Sequence, residues 1–320
     1  MKQFNNSAIL IIDHIHNDLI TKLQELGFLV DYKPVIKKTE IEEIISNYNG
    51  IILRSKIRID NILIDKASKL EFIGRAGSGL ENIDTVYAEK KGITCFNSPE
   101  GNRDSVGEHT LGLLLNLLNK ISKAGNEIKK GIWNRNDNWG IELKGKTVGI
   151  IGYGNMGGSF AKKLSGFEVN VIAYDKFKKD FSDSFVQEVD LETIFNRADI
   201  LSLHIPLTNE TQYLISSEFL NRFKKNIFLL NTSRGQIVNT KELVYCIKSG
   251  KILGAGLDVI EYENHNFENL GCKNLSEDFD YLLNSDKVII TPHVAGWSNE
   301  SFYKVSMVLA EKILKFYQLD

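Results

Sequence analysis

Between Lys146 and Asp175 the chain reads KTVGIIGYGNMGGSFAKKLSGFEVNVIAYD, and few folds accommodate that order of parts. Val148, Gly149, Ile150 and Ile151 make a short apolar run, suited to a strand buried on both faces of a parallel sheet. Gly152-Tyr153-Gly154-Asn155-Met156-Gly157 follows, then the amphipathic segment Ser159 to Leu164. A second apolar run, Val169 to Tyr174, ends in Asp175. Gly152 suits a tight turn off the strand, Gly154 admits a close approach to the backbone, and Gly157 lets the helix pack against the sheet. The helix N-terminus then presents its amides and dipole to an anion. Asp175 lies 18 residues beyond Gly157, at a strand end, where a carboxylate can accept from both hydroxyls of a ribose. Glycine-rich turns are common, but strand, turn, helix, strand and acid in this order point to a dinucleotide. A carboxylate at Asp175 repels a 2′-phosphate, so NAD is expected over NADP. Lys176, Lys178 and Lys179 read as a solvated turn.

The motif's position matters as well. At 320 residues, against a prior of about 150 per domain, the chain is expected to hold two domains. The 145 residues ahead of the motif alternate too: Ala8 to Ile12, Ile20 to Leu26, Ile41 to Ser46, Gly50 to Arg54, Leu63 to Ala67, Phe72 to Arg75. They read as a small α/β domain. Past Asp175, Ile200 to Ile205, Ile227 to Asn231, Gly254 to Val259 and Val288 to Thr291 read as strands, and Asn299 to Tyr317 as a terminal helix. Ser105 to Ile121 is apolar almost all round, so it is expected to pack between domains or between subunits. Tyr262 to Ser285 is polar without a clear period and reads as a long loop.

A formal net charge of −2 gives no field favouring nucleic acid or an anionic membrane. Cys95, Cys246 and Cys272 are widely spaced, which suggests reduced thiols rather than a disulfide frame or zinc site. His14, His16 and His265 lack neighbours at ligand spacing, so no metal is expected. The start lacks the pattern of a secretory signal, and no run approaches the roughly 18 apolar residues that span a bilayer. A cytoplasmic location is the expectation.

Three polar residues follow strand-like segments in the second half: Arg234, Glu263 and His293. In an open parallel sheet the carboxyl ends of strands line the ligand crevice, so residues 29 and 30 positions apart can converge there. A guanidinium holds a carboxylate with two parallel bonds. A histidine can exchange a proton with a hydroxyl, and a carboxylate beside it fixes its tautomer. Together they suit hydride transfer between a nicotinamide and an α-hydroxy acid. Taken singly, each has an ordinary explanation as an ion-pair or loop residue.

RAGSGLENID (Arg75 to Asp84), NSPEGNRDSVGEHTLGLLL (Asn97 to Leu115), GIIGYGNMG, HIPLT (His204 to Thr208), NTSRGQIV (Asn231 to Val238), GAGLDVIEYE (Gly254 to Glu263) and TPHVAGW (Thr291 to Trp297) occur in this order. Along nearly its whole length the chain resembles the D-isomer-specific 2-hydroxyacid dehydrogenase family. That resemblance implies an α/β fold of two Rossmann-like domains with doubly wound parallel sheets. The cofactor domain, 102–293, would be inserted into a discontinuous substrate domain, 1–101 and 294–320. It implies Arg234 on the substrate carboxylate, His293 as acid/base and Glu263 as its partner. NAD would be held by Gly152, Gly154, Asn155, Met156, Gly157, Asp175, His204, Pro206, Thr232 and Asp258, with Asp258 near the nicotinamide carboxamide. For Asp258 a turn-forming role is the alternative. His204 is expected to pack near the adenine end, His109 to be structural, and Trp297 to reach the cleft or pack the last helix. A homodimer formed with help from the Ser105 to Ile121 helix is implied.

The first domain bears on the substrate. Arg54 and Arg75 both end apolar strands, Ser55 follows the first, and Ala76-Gly77-Ser78-Gly79 forms a small-residue turn after the second. This arrangement resembles the phosphoglycerate dehydrogenase branch, in which arginines at such places meet a substrate phosphate. Arg54, Ser55, Arg75, Ser78 and Gly79 are therefore the substrate-binding candidates, and oxidation of 3-phosphoglycerate in serine biosynthesis the expected reaction. Ion pairing within the domain is the alternative role for both arginines. A glyoxylate or hydroxypyruvate reductase, and an NAD-sensing binding protein on the same scaffold, remain open. Asn264 stands where the family usually has proline, and the loop after it, with Cys272, is longer than usual. A surface insertion is expected there. The chain shows no appended regulatory domain, so serine feedback through one is not expected.

Overall fold

The structure, a computed structural model, describes residues 7–263 and 276–319. Among these, 7–103 and 297–319 form one unit, and 104–263 with 276–296 form the other.

The first unit is a parallel sheet of β1 (Ala8–Ile11), β2 (Leu29–Tyr32), β3 (Gly50–Leu53), β4 (Phe72–Arg75) and β5 (Thr94–Asn97), in the order β2-β1-β3-β4-β5. Period-two alternation divides its side chains. Leu10, Ile51, Leu53 and Ile73 pack with Ile41, Leu63 and Ala88 on one face. Ile9, Ile11, Ile52 and Phe72 pack on the other with Leu19, Leu23, Leu309, Ile313 and Tyr317. The last three belong to the Asn299–Tyr317 helix. Its start is fixed by Ser298, whose hydroxyl accepts from Ser301 N at 3.0 Å while Ser301 Oγ accepts from Ser298 N at 2.8 Å. Both ends of the described chain therefore build one core.

The second unit is a parallel sheet of β6 (Thr147–Ile151), β7 (Asn170–Tyr174), β8 (Gln187–Glu188), β9 (Ile200–Leu203), β10 (Ile227–Asn231), β11 (Ile252–Leu257) and β12 (Val288–Ile290). Their order is β12-β11-β10-β9-β6-β7-β8, so the winding reverses between β6 and β9. In a doubly wound sheet that reversal opens the crevice for a ligand. Ile150, Ile200 and Leu230 enter one core, and Ile151, Leu203 and Leu229 the other.

The leucine-rich helix runs from Pro99 to Asn119, and Leu113, Leu114, Leu117 and Leu118 lie in the second unit's own core against Val148, Ile200 and Leu230, while Leu111 and Leu115 are only partly buried. One expectation is corrected here. Within Tyr262 to Ser285, the Glu277–Asn284 segment is a helix, capped by Ser276 and anchored by Phe279 and Leu282. Three acids among its eight residues, Glu277, Asp278 and Asp280, mask the apolar spacing in sequence. Residues 264–275, including Asn264, His265 and Cys272, lie outside the described residues.

Candidate active site

One row of paired residues crosses the second sheet near its carboxyl edge. Ile290 pairs with Leu257, Leu257 with Asn231, Asn231 with Leu203, Leu203 with Ile151, and Ile151 with Tyr174. One residue further along each strand stand Thr291, Asp258, Thr232, His204, Gly152 and Asp175. Parallel pairing thus brings residues from six separate segments to one edge.

At β6 the chain turns at Gly152, with φ of +93°, where a side chain would be strained and would run into the His204 carbonyl. A Cβ on Gly157 would meet the Gly152 carbonyl. At Gly154, by contrast, a Cβ would meet nothing within 4 Å. The Asn155–Lys163 helix begins there without a side-chain cap, with Asn155 exposed and Met156 half-buried. Asp175 Oδ2 accepts from Tyr153 N at 2.8 Å, and Oδ1 accepts from Phe177 N and Lys178 N at 2.9 Å. Burial opposes its charge, but these three amides and the Lys178 charge outweigh it and hold its pKa below the usual carboxylate value. Open space before uncapped amides, with an ionised acid at the next strand end, fits a pyrophosphate and a ribose diol.

His204 Nε2 is 2.8 Å from Ser202 Oγ, and its Nδ1 is out of solvent with no hydrogen-bond partner. Part of the residue does reach the surface. Burial of the ring pushes its pKa down to about 3. Pro206 is exposed, and its carbonyl accepts from the Thr211 hydroxyl at 2.7 Å. Thr232 Oγ1 lies 3.0 Å from Thr110 Oγ1.

The loops after β10, β11 and β12 carry Arg234, Glu263 and His293. His293 Nδ1 is 2.6 Å from Glu263 Oε2, and Glu263 Oε1 accepts from Ile260 N at 2.6 Å. An ionised carboxylate only accepts, so it places a proton on Nδ1 and directs exchange to Nε2. Side-chain exposures of 23% and 14% leave the pair within reach of a small molecule but shielded from bulk water. Arg234 Nη1 donates to Ser233 O at 2.6 Å, and Asn231 Nδ2 donates to Arg234 O at 2.9 Å. A Cβ on the next residue, Gly235, would collide with the Ile260 carbonyl, so the arginine loop packs directly on the loop leading to Glu263.

Asp258 is 1% exposed. Its Oδ1 accepts from Thr291 Oγ1 at 2.6 Å and Val294 N at 2.9 Å, and its Oδ2 accepts from Ala295 N at 2.8 Å. The turn-forming alternative is therefore realised in the chain. His109, expected to be structural, approaches the same carboxylate, with Nε2 3.4 Å from Asp258 Oδ1, and Thr291, Thr110 and Asn231 are participants to which motif reading gave no role. Thr291 was discoverable in principle, as it stands two residues before His293.

In the first unit, Asp13 Oδ2 accepts from the backbone amides of Arg54, Ser55 and Lys56 at 2.6, 3.1 and 3.1 Å. The Arg54 guanidinium lies 4.6 Å from the Trp297 ring centroid and 5.6 Å from that of Phe302. Burial pulls its pKa down, and the Asp13 charge opposes this. Arg75 Nε donates to Arg54 O at 3.1 Å, which couples the two strand ends. Ser78 Oγ donates to Asn102 Oδ1 at 2.6 Å, Ser78 O accepts from Asn97 Nδ2 at 2.6 Å, and Gly79 is half-buried in the same turn.

Residues 111–295 match the NAD-binding domain of the D-isomer-specific 2-hydroxyacid dehydrogenases. A D-3-phosphoglycerate dehydrogenase of Archaeoglobus fulgidus is 35% identical over 96% of this chain and 56% of its own length. A hydroxypyruvate reductase of Thermotoga maritima is 36% identical over 95% of each chain. A D-lactate dehydrogenase of Aquifex aeolicus, solved with NAD and lactic acid, superposes with a TM-score of 0.81 at 25% identity over 98% of this chain and 96% of its own. The chain belongs to the D-isomer-specific 2-hydroxyacid dehydrogenase family, and the second unit is its NAD-binding domain. It spans little more than half the length of the Archaeoglobus relative.

Proposed function

We propose that the chain is an NAD-dependent dehydrogenase of D-2-hydroxy acids. The His293–Glu263 pair, 2.6 Å apart on the loop edge that Arg234 shares, is the observation that carries this reading. Gly152 to Gly157 and the helix N-terminus after them would hold the pyrophosphate, and Asp175 the ribose. Bound there, NAD supplies the hydride acceptor. Arg234 takes the substrate carboxylate in a bidentate pair. His293 Nε2 removes the hydroxyl proton during oxidation and returns it during reduction, while Glu263 holds the ring and favours the charge it gains.

The preferred substrate in this reading is 3-phosphoglycerate, oxidised to 3-phosphohydroxypyruvate at the step that opens serine synthesis. Arg54 with Arg75 supports a phosphate, since two guanidinium groups suit a dianion. The similarity to phosphoglycerate dehydrogenases is a second support. Reduction of hydroxypyruvate or glyoxylate is the other reading, favoured by the Thermotoga relative, which this chain matches over 95% of each length. We also propose a cytoplasmic homodimer. Among the described residues no helix is long and apolar enough to cross a membrane.

The deciding assay follows NADH formation from D-3-phosphoglycerate with a carbonyl trap, beside NADH consumption on hydroxypyruvate and glyoxylate. In the preferred reading Arg54→Ala lowers kcat/KM for phosphoglycerate by about 10- to 100-fold, the worth of one or two charge-assisted bonds. Its reduction of glyoxylate changes little. Rapid turnover of hydroxypyruvate with none of phosphoglycerate moves the assignment to the reductase.

A further inference from the structure

We propose that His109 is a positioning residue for His293, acting as an Nε2–H donor through Thr291 onto the buried carboxylate of Asp258. This rests on the reading of His293 as the proton carrier. A carboxylate that is 1% exposed needs donors from the chain itself. Asp258 finds them in the turn that bears His293: Thr291 Oγ1, Val294 N and Ala295 N. His293 N in turn donates to the Asp258 carbonyl at 2.8 Å. One aspartate thus grips the turn on both sides of the histidine.

The proton positions follow from counting donors. The Thr291 hydroxyl has one hydrogen, and at 2.6 Å it is committed to Asp258 Oδ1. Its oxygen can then only accept. His109 Nε2 lies 2.9 Å from that oxygen and 3.4 Å from Asp258 Oδ1, so this nitrogen must carry the hydrogen. Four residues earlier on the same helix, Ser105 Oγ donates to Ala295 O at 2.7 Å. Positions four apart share a helix face, so one face of the Pro99–Asn119 helix holds the 291–295 turn at two points.

The turn has reason to be held. His293 adopts φ of +55°, a left-handed conformation uncommon outside glycine and maintained only where the surroundings enforce it. Without the His109 donor, the Thr291 oxygen loses a partner and the turn loses a tie to a rigid helix. The imidazole of His293 then strays from its working position.

The test uses the full chain with His109→Phe, which removes the donor, and His109→Gln, which restores an N–H near the same place. Thr291→Val cuts the same chain without touching the helix, and carries the test alone if His109→Phe does not fold. His109→Phe and Thr291→Val should each lower kcat for 2-oxo acid reduction by about 10- to 100-fold, as expected of a slightly misplaced group. NADH dissociation constants should stay within about twofold, His109→Gln should recover most of the rate, and the double variant should lose no more than either single one. Selective 15N-histidine NMR supplies a readout independent of turnover. It should show the His109 proton on Nε2, and a shift of the His293 ring in Thr291→Val. Unchanged kcat in both His109→Phe and Thr291→Val, equal kcat in His109→Phe and His109→Gln, or a His109 proton on Nδ1 alone overturns the proposal. If the wild-type chain reduces no 2-oxo acid, the dehydrogenase reading fails, and the NMR result still decides whether His109 positions His293.

Discussion

His293 and His204 show how placement divides the labour of one residue type. His293 is paired with Glu263 at a loop edge, whereas His204 has a ring nitrogen sealed from water. Replacing His293 with Asn should lower kcat by about 10²- to 10⁴-fold, the usual worth of general acid–base catalysis, and leave NADH affinity nearly intact. Fluorescence titration beside steady-state assays checks both halves. For His204 the folded pKa, about 3, lies below the ordinary 6.5, so between these values the unfolded chain binds a proton that the folded chain refuses. Its contribution is full above pH 6.5 and declines as pH falls, with a slope of about 1.4 kcal/mol per pH unit for one proton. Urea unfolding at a series of pH values should show His204→Gln losing that part of the slope. The glycines and Asp175 were legible in sequence because they sit close together along the chain. The His109–Thr291–Asp258 chain was not, because 182 residues separate its first two members and only the packing of the Pro99–Asn119 helix against the sheet unites them.

Strands and helices were easier to read than their pairing. The apolar runs marked most strands to within a residue or two, since a buried parallel strand has no polar face to confuse it. Register was hidden, because no single run states which neighbour it will meet. Yet register is what sets Gly152, Asp175, His204, Thr232, Asp258 and Thr291 along one edge. The strand-to-helix joint at β6 yields a paired prediction. Gly154→Ala adds a methyl to open space, so stability should hold while NAD affinity falls as the methyl enters the phosphate's room. Gly157→Ala drives a methyl into the Gly152 carbonyl, so it should cost about 1–3 kcal/mol of stability as well as cofactor affinity. Thermal melts and NAD titrations of the two variants separate these outcomes.

Surface apolar residues bear on assembly. In the second unit Ile121, Ile128, Ile132, Trp133 and Trp139 stay exposed, the two tryptophans at 81% and 77%. An apolar patch of this kind suits a self-complementary contact with a second copy. Trp133→Glu should shift the proposed dimer to monomer in analytical ultracentrifugation, with the far-UV circular dichroism unchanged. A wild type that is monomeric at all concentrations would remove the dimer from the proposal. The split first unit has a different consequence, one of timing. A ribosome delivers the chain from its amino end, yet Ile9, Ile11, Ile52 and Phe72 are covered by residues 309–317 of the terminal helix. The second unit, whose last strand ends at Ile290, can close while that helix is still inside the exit tunnel. Leu19 and Leu23 cover only part of that face, so the first sheet must wait with the rest bare. On nascent chains it is the unit made first that a chaperone should find still open.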